Sequence, residues 1–275
     1  MMRTSLPSRF WADLTTTDFA GLDPTGTVAV LPMGATEQHG PHLPLGVDTC
    51  LVDGIVAAAL PLLPADLPVL FLPTQSIGLS PEHARFAGTL SLSADTLMRL
   101  WKDIGAGVAR SGVKKLVLFN AHGGHVGAMD VVARELRESH DLIVYSVSWF
   151  NLPLDDANAR FDADEHRFGV HAGDIETSMM LALHPPLVRM AAARNFGSAS
   201  RQRAAAYPIL GNGRSAKFGW AMQDYNAEGA AGNAAAATAD KGRAVVNAAA
   251  LQLALLLAEV ARLPLSVLVS GPTHM

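Results

Sequence analysis

Cysteine is almost missing from this chain of 275 residues, where Cys50 stands alone. One thiol cannot close an intrachain disulfide, and it excludes a zinc-thiolate cluster built by a single chain. The expected compartment is the cytoplasm, and the N-terminal stretch MMRTSLPSRFWADLTTTDF lacks the apolar core of a secretion signal. Long apolar runs are lacking as well. Residues 60–73 are broken by four prolines and Asp66, and residues 244–257, though uncharged, fall short of the roughly 20 residues a membrane span needs. Both read as core elements. No run of lysine or arginine occurs, and a formal charge of −4 with a pI near 6.2 gives no electrostatic basis for gripping nucleic acid or an anionic membrane. The Gly123-Gly124 pair lacks both the G-x-G-x-x-G spacing and the lysine of a phosphate loop. No internal repeat is present.

What the chain does have is an apolar fraction of 49% against 17% charged residues, the balance of a well-buried globular protein. The expectation is one α/β domain over residues 1–275. Short apolar runs at 27–31, 68–73, 113–119 and 142–149 read as buried strands. Helical spacing fills 48–60, 93–111, 126–139, 174–183 and 234–263. Residues 1–20 read as an arm with a short helix that packs Phe10, Trp11 and Phe19 on the body. Residues 151–169 show little periodicity, and 191–235 read as Gly- and Ala-rich loops. Strands alternating with helices of this length predict a three-layer αβα arrangement around a mostly parallel sheet.

Chemistry collects where the strands end. Leu31 to Asp48 reads LPMGATEQHGPHLPLGVD, with Glu37, His39, His42 and Asp48 in a loop preset by Gly and Pro. Glu82 and His83 follow the second strand, His122 and His125 the third, and His171 and Glu176 flank the start of a later helix. Eight of the ten histidines lie between positions 39 and 171. In parallel sheets the loops after the strands converge on one rim, so these residues are candidates for a shared site. Glu37-x-His39 puts two side chains on one side of an extended segment. Asp48, with two oxygens, can bridge two cations about 3.5–4 Å apart, and His122 and Glu176 are the best remaining ligands. Imidazole and carboxylate without sulfur suits zinc, manganese or iron(II).

These stretches, together with GLSPEHARFAGTLSL (78–92), LFNAHGGH (118–125), HAGDIETS (171–178) and the weaker GAAGNAAAATADKG (229–242), resemble the creatininase (creatinine amidohydrolase) family. The resemblance implies a mostly parallel sheet between helices, two divalent metal ions per chain, and a homohexamer. It assigns Glu37, Asp48 and His122 to one metal, and His39, Asp48 and a further carboxylate to the second. In creatinine-hydrolysing members that carboxylate lies two residues beyond the histidine matching His122. Gly124 stands there in this chain, and Glu176 takes the role.

The implied reaction is hydrolysis of a C–N bond in a small cyclic amide or related amide by an activated water. Glu176 would relay a proton, and His171 would act as general acid toward the leaving nitrogen. Creatinine itself is disfavoured, because Arg167 and Phe168 stand where such members carry a pocket-closing tryptophan. Arg167 or Arg85 is expected to favour an anionic group. His83 and Glu82 are expected to orient ligands, and His125 to line the pocket or support a ligand. The alternatives within the family are a peptidase-like maturation enzyme and a cyclic-ketone hydrolase. A non-catalytic assembly protein that keeps metal for stability is a third reading.

Overall fold

The computed structural model describes residues 7–269 and residue 271. The first six residues of the expected N-terminal arm, and of the stretch read for a secretion signal, lie outside the described residues. From there the arm runs along the sheet: the Phe71 N–H donates to the Arg9 carbonyl at 2.8 Å, and Trp11 packs against Phe19 of the short helix α1 (Thr16–Phe19) with ring centroids 4.7 Å apart.

The sheet is built from β1 (Val28–Met33), β2 (Val69–Phe71), β3 (Lys115–Asn120) and β4 (Ile143–Ser148), all parallel, in the order β2-β1-β3-β4. The register aligns Met33 with Asn120 and Asn120 with Ser148, so these strands end on one rim. β1 continues through Pro32, beyond the expected stop at Leu31. Val28 donates to Pro68 and Gly34 to Gln75, so even-numbered residues face the β2 side. Pro32 lies past the end of β2, and its missing N–H costs no ladder bond.

Helices α2 (Val47–Ala59), α3 (Ala94–Arg110) and α4 (Val126–His140) connect successive strands. Alternate residues of β1 serve two layers. Val28 and Val30 pack with Leu51 and Ile55 of α2, and Ala29, Leu31 and Met33 pack with Leu97 and Trp101 of α3 and Met129 and Val132 of α4. β1 is thus covered on both faces, as a central strand of a parallel sheet requires, whereas the edge strand β4 leaves Tyr145 exposed.

After β4 the chain forms two helices too short to announce themselves by periodicity, α5 (Asp155–Asn158) and α6 (Ala163–Phe168), within the stretch expected to be irregular. α7 (Asp174–Leu183) follows. The 191–235 region holds β5 (Asn195–Phe196), α8 (Ala199–Ala206) and β6 (Gly232–Asn233), with β5 and β6 antiparallel. α9 (Ala239–Arg262) starts later than the expected Ala234, because Thr238 caps it through the Lys241 N–H at 3.3 Å. Its 24 residues are long and apolar enough to cross a membrane by length and composition, more than residues 244–257 alone indicate. It nevertheless buries Val245, Ala249, Leu253 and Leu257 in the core shared with α2 and α7. A Cβ at Gly242 would overlap the Ser178 carbonyl, so α9 and α7 meet backbone to backbone there.

Candidate metal centre

β1 and β3 are neighbours in space although the chain visits β2, on the far flank of β1, between them. That reversal of direction opens a crevice at the carboxyl ends of β1 and β3. The loop after β1 brings Glu37 and His39 to it, and the first turn of α2 adds Asp48. Past β3, Asn120 shapes the turn: its Oδ1 accepts the His122 N–H at 3.0 Å, and its Nδ2 donates to the His122 carbonyl at 2.7 Å. α7 carries Glu176, and the loop before it carries His171, whose backbone pairs with Ala231.

Hydrogen bonds decide which nitrogen of each imidazole faces the centre. His39 Nδ1–H donates to the Glu37 carbonyl (3.0 Å), His122 Nε2–H to the Leu79 carbonyl (2.9 Å) and His171 Nε2–H to the Gln38 carbonyl (2.7 Å). A carbonyl can only accept, so in the neutral rings His39 Nε2, His122 Nδ1 and His171 Nδ1 turn lone pairs inward. Outer bonds of this kind are what orients metal-binding histidines. His83 differs. Gln38 Oε1 accepts the Gly40 N–H (3.0 Å), so Gln38 Nε2 donates to His83 Nδ1 (2.7 Å) and the neutral His83 ring carries its proton on Nε2, 3.4 Å from Glu37 Oε1. It orients that carboxylate and offers no lone pair.

The two oxygens of Asp48 face different rings, Oδ1 at 3.4 Å from His39 Nε2 and Oδ2 at 3.3 Å from His122 Nδ1. Glu37 Oε1 stands 3.4 Å from His122 Nδ1 and 3.8 Å from His171 Nδ1. Glu37, His39 and Asp48 offer ligand atoms within 4.8 Å of one another, and so do His39, His171 and Glu176. The residues singled out in the sequence, Glu37, His39, Asp48, His122, His171 and Glu176, therefore meet at one place. Glu37 Oε2, His39 Nε2 and Asp48 Oδ2 are buried with no hydrogen-bond partner. A buried polar atom left unpaired costs about 1–3 kcal/mol, more when charged, and coordination to a cation removes that cost. The donor chemistry fits divalent metal.

Electrostatics say the same. Burial pushes the Glu37 carboxyl up, but the charge and hydrogen bond of His122, with the charge of His39, outweigh it and hold it well below the usual range. For His39, burial opposes protonation, yet the close approach of Asp48 Oδ1 and the charges of Asp48, Glu176 and Glu37 carry it up to about 9. His122 is raised in the same way, chiefly by Glu37 against the burial penalty. Burial, followed by the charges of His39 and His83, pushes His171 well below its ordinary value. Burial lifts Glu176 to about 7. This much negative charge in a dry crevice demands positive charge, from protons or from metal.

Above the centre lies a cavity of about 390 Å³ walled by Trp149, Phe150, Asn158, His166, Val170 and Trp220, with Glu82 and Gly124 beside His122. The expectation that Arg167 or Arg85 selects an anion is not met: both side chains are exposed, and neither lines the cavity. No lysine or arginine is among the described lining residues. His125 is fully buried off the cavity wall, donating from Nδ1 to Asn120 Oδ1 (3.0 Å) and accepting the Leu79 N–H at Nε2 (3.1 Å). It supports the segment that holds His122. Gln38 and Trp220 were not singled out in the sequence. Gln38 lies between two ligand candidates and acts through a carbonyl and an amide, and Trp220 sits in a region without periodicity.

The creatininase family model, described as creatinine amidohydrolase, matches residues 12–257. A mycofactocin precursor peptide peptidase of Mycobacterium tuberculosis is 36% identical over 175 residues, which is 61% of this chain and 63% of that protein. A creatinine amidohydrolase of Pseudomonas putida is 34% identical over 175 residues, 58% of this chain and 66% of that one. The chain thus spans about three fifths of the length of the curated relatives it matches. A crystal structure of creatinine amidohydrolase superposes with a TM-score of 0.73 at 27% identity, covering 92% of this chain and 98% of that chain. Zn-Zn and Mn forms of creatininase superpose at 0.72.

Proposed function

The chain belongs to the creatininase (creatinine amidohydrolase) family, and on that premise we propose that it is a metal-dependent hydrolase cleaving a C–N bond of a small cyclic amide or related amide. The observation that carries this reading is the set of three orphaned buried atoms, Glu37 Oε2, His39 Nε2 and Asp48 Oδ2, in one crevice with His122, His171 and Glu176. Glu37, Asp48 and His122 would hold one divalent cation, and His39, Asp48 and Glu176 a second, with zinc, manganese or iron(II) suited to the donors. When bound, such a pair supplies Lewis acidity and lowers the pKa of water toward neutrality.

The protein's own groups handle protons and geometry. Glu176 Oε2 accepts the Ala172 N–H at 2.6 Å, which leaves one oxygen for ligation. His171, neutral at rest with its outer nitrogen tied to Gln38, has Nδ1 free to take a proton and hand it to the departing nitrogen. An amide nitrogen leaves poorly unless protonated. His83 holds Glu37 in place through Nε2–H. The aromatic wall and the absence of lysine and arginine among the described lining residues favour an uncharged or cationic group over a carboxylate.

A second reading, cleavage of a short peptide, is favoured by the cavity of about 390 Å³, more room than a single small lactam fills, and by the similarity to a peptide peptidase. Metal analysis of protein purified without added metal, followed by a screen of cyclic amides, formamides and short peptides on the reloaded enzyme, tests both. Two equivalents per chain and turnover of one class are expected. Protein that binds no divalent metal would remove the hydrolase reading. The assembly that goes with it is a homohexamer, to which the exposed Tyr207, Ile209, Leu210 and Phe218 offer apolar area.

A further inference from the structure

We propose that Glu165, in α6, is a positioning residue that sets where His171 and Glu176 stand by capping α7 from another element and tying it to β6; this rests on the metal-site reading above.

α7 begins at Asp174, and its N-cap is Gly173, which has no side chain with which to cap. The first N–H groups of a helix find no partner within it, and a negative charge is favourable there. Glu165 supplies both from a distance. Its Oε1 accepts the Asp174 N–H at 2.7 Å, and its Oε2 accepts the Asn233 N–H at 2.9 Å. The carboxylate is buried, and its seat is made of glycine. A Cβ at Gly173 would overlap Oε1, and one at Gly232 would come within 2.9 Å of Oε2 and 3.0 Å of Oε1.

The two backbones it joins are the ones that frame one side of the metal centre. His171 N–H donates to the Ala231 carbonyl (3.3 Å) and Ala231 N–H to the His171 carbonyl (2.8 Å), immediately beside the carboxylate clamp. Between His171 and Asp174 the chain passes through Ala172 at φ 53°, a left-handed conformation that an alanine adopts only when its surroundings impose it. Ala172 in turn donates to Glu176 Oε2. Releasing the Asp174 end would free this segment to relax, moving His171 Nδ1 and the inward oxygen of Glu176. Glu37, Asp48 and His122 are held by other elements and would stay.

The test is zinc titration of the full-length protein against a chelating dye, comparing the parent with Glu165→Gln. Glutamine can accept only one of the two N–H groups and presents an NH2 to the other. Expected is a tenfold to hundredfold loss of affinity for one zinc equivalent, the size seen when a ligand's support is removed, with the other equivalent unchanged. Amide hydrogen exchange should accelerate over 171–178 and 231–233 but not in the interior of α9. Equal affinities for both equivalents in variant and parent, or equal weakening of both, would overturn the proposal, since a purely architectural residue predicts one or the other. If Glu165→Gln fails to fold, Glu165→Asp, which keeps the charge but is one methylene shorter, should show the same one-sided loss, and a symmetric effect there counts against it equally. A parent that binds no zinc speaks against the metal reading itself, and the exchange comparison then still decides whether Glu165 holds the two segments.

Discussion

Asp48 Oδ2 lies 3.3 Å from His122 Nδ1, buried and with no hydrogen-bond partner, while the other oxygen of the same carboxylate lies 3.4 Å from His39 Nε2. One side chain at the first turn of α2 thus faces imidazoles from two different loops.

Removing it should empty both positions. For Asp48→Ala the expected outcome is loss of both metal equivalents and of turnover, read by elemental analysis of protein with an unchanged circular dichroism spectrum. Retention of the full metal content would show that Asp48 does not bridge.

Metal uptake should release protons. His39 at about 9 and His122, raised well above its ordinary value, hold protons near pH 7 in metal-free protein, Glu176 at about 7 holds part of one, and ligation requires them to leave. Affinity therefore rises with pH up to about 9. Calorimetry in buffers of different ionisation enthalpy measures the release, and a buffer-independent heat contradicts the assignment.

Acid should destabilise the fold through histidines kept neutral by burial, His42 at about 4 and His125 at about 3. Their folded-state values lie below the unfolded value of about 6.5. The unfolded chain therefore binds protons first, and the stability these groups permit is lost as pH falls below that point toward 4 and 3. Melting temperature against pH checks this, and a flat profile from pH 7 to 5 would contradict it.

His125→Ala should lower stability by about 1–3 kcal/mol, because the part-buried Leu79 N–H loses its acceptor and Asn120 Oδ1 keeps only the His122 N–H. Leu79 also accepts from His122, so metal affinity should fall as well. Substrate preference should not change, since His125 is off the cavity wall. Denaturant unfolding and a substrate panel separate these effects.

Gly124→Ala should weaken metal binding more than an exposed glycine change does. Its Cβ would meet His122 Nε2 at 2.5 Å, Glu82 Oε1 at 2.6 Å and the Leu79 carbonyl at 2.7 Å. His122 would have to move. Zinc affinity equal to the parent's would show that the corner yields freely.

Much of the site was legible in the sequence because its residues follow strand ends. A buried parallel strand is a continuous apolar run, so its end is visible locally to within a residue or two, read at Leu31 and Phe119 against Met33 and Asn120 in the structure, and so are the Glu, His and Asp that come next. The role of Gln38 was not visible, since it depends on His83 and on His171, 133 positions away. The same holds for Glu165, whose partners are backbone N–H groups that carry no residue-type signature, and for the short helices α5 and α6, too brief to show a period.

The order of residues by itself determined the alternation of strands and helices, the convergence of the loop residues on one rim, and the kinds of donor available there, because hydrophobic period and residue chemistry are local properties. Only the tertiary structure decided which nitrogen of each ring turns inward, which polar atoms are left without partners, and that Arg85 and Arg167 stand away from the cavity. Those outcomes depend on what chain-distant backbone and side chains present to each group once water is excluded, and no local pattern carries that information.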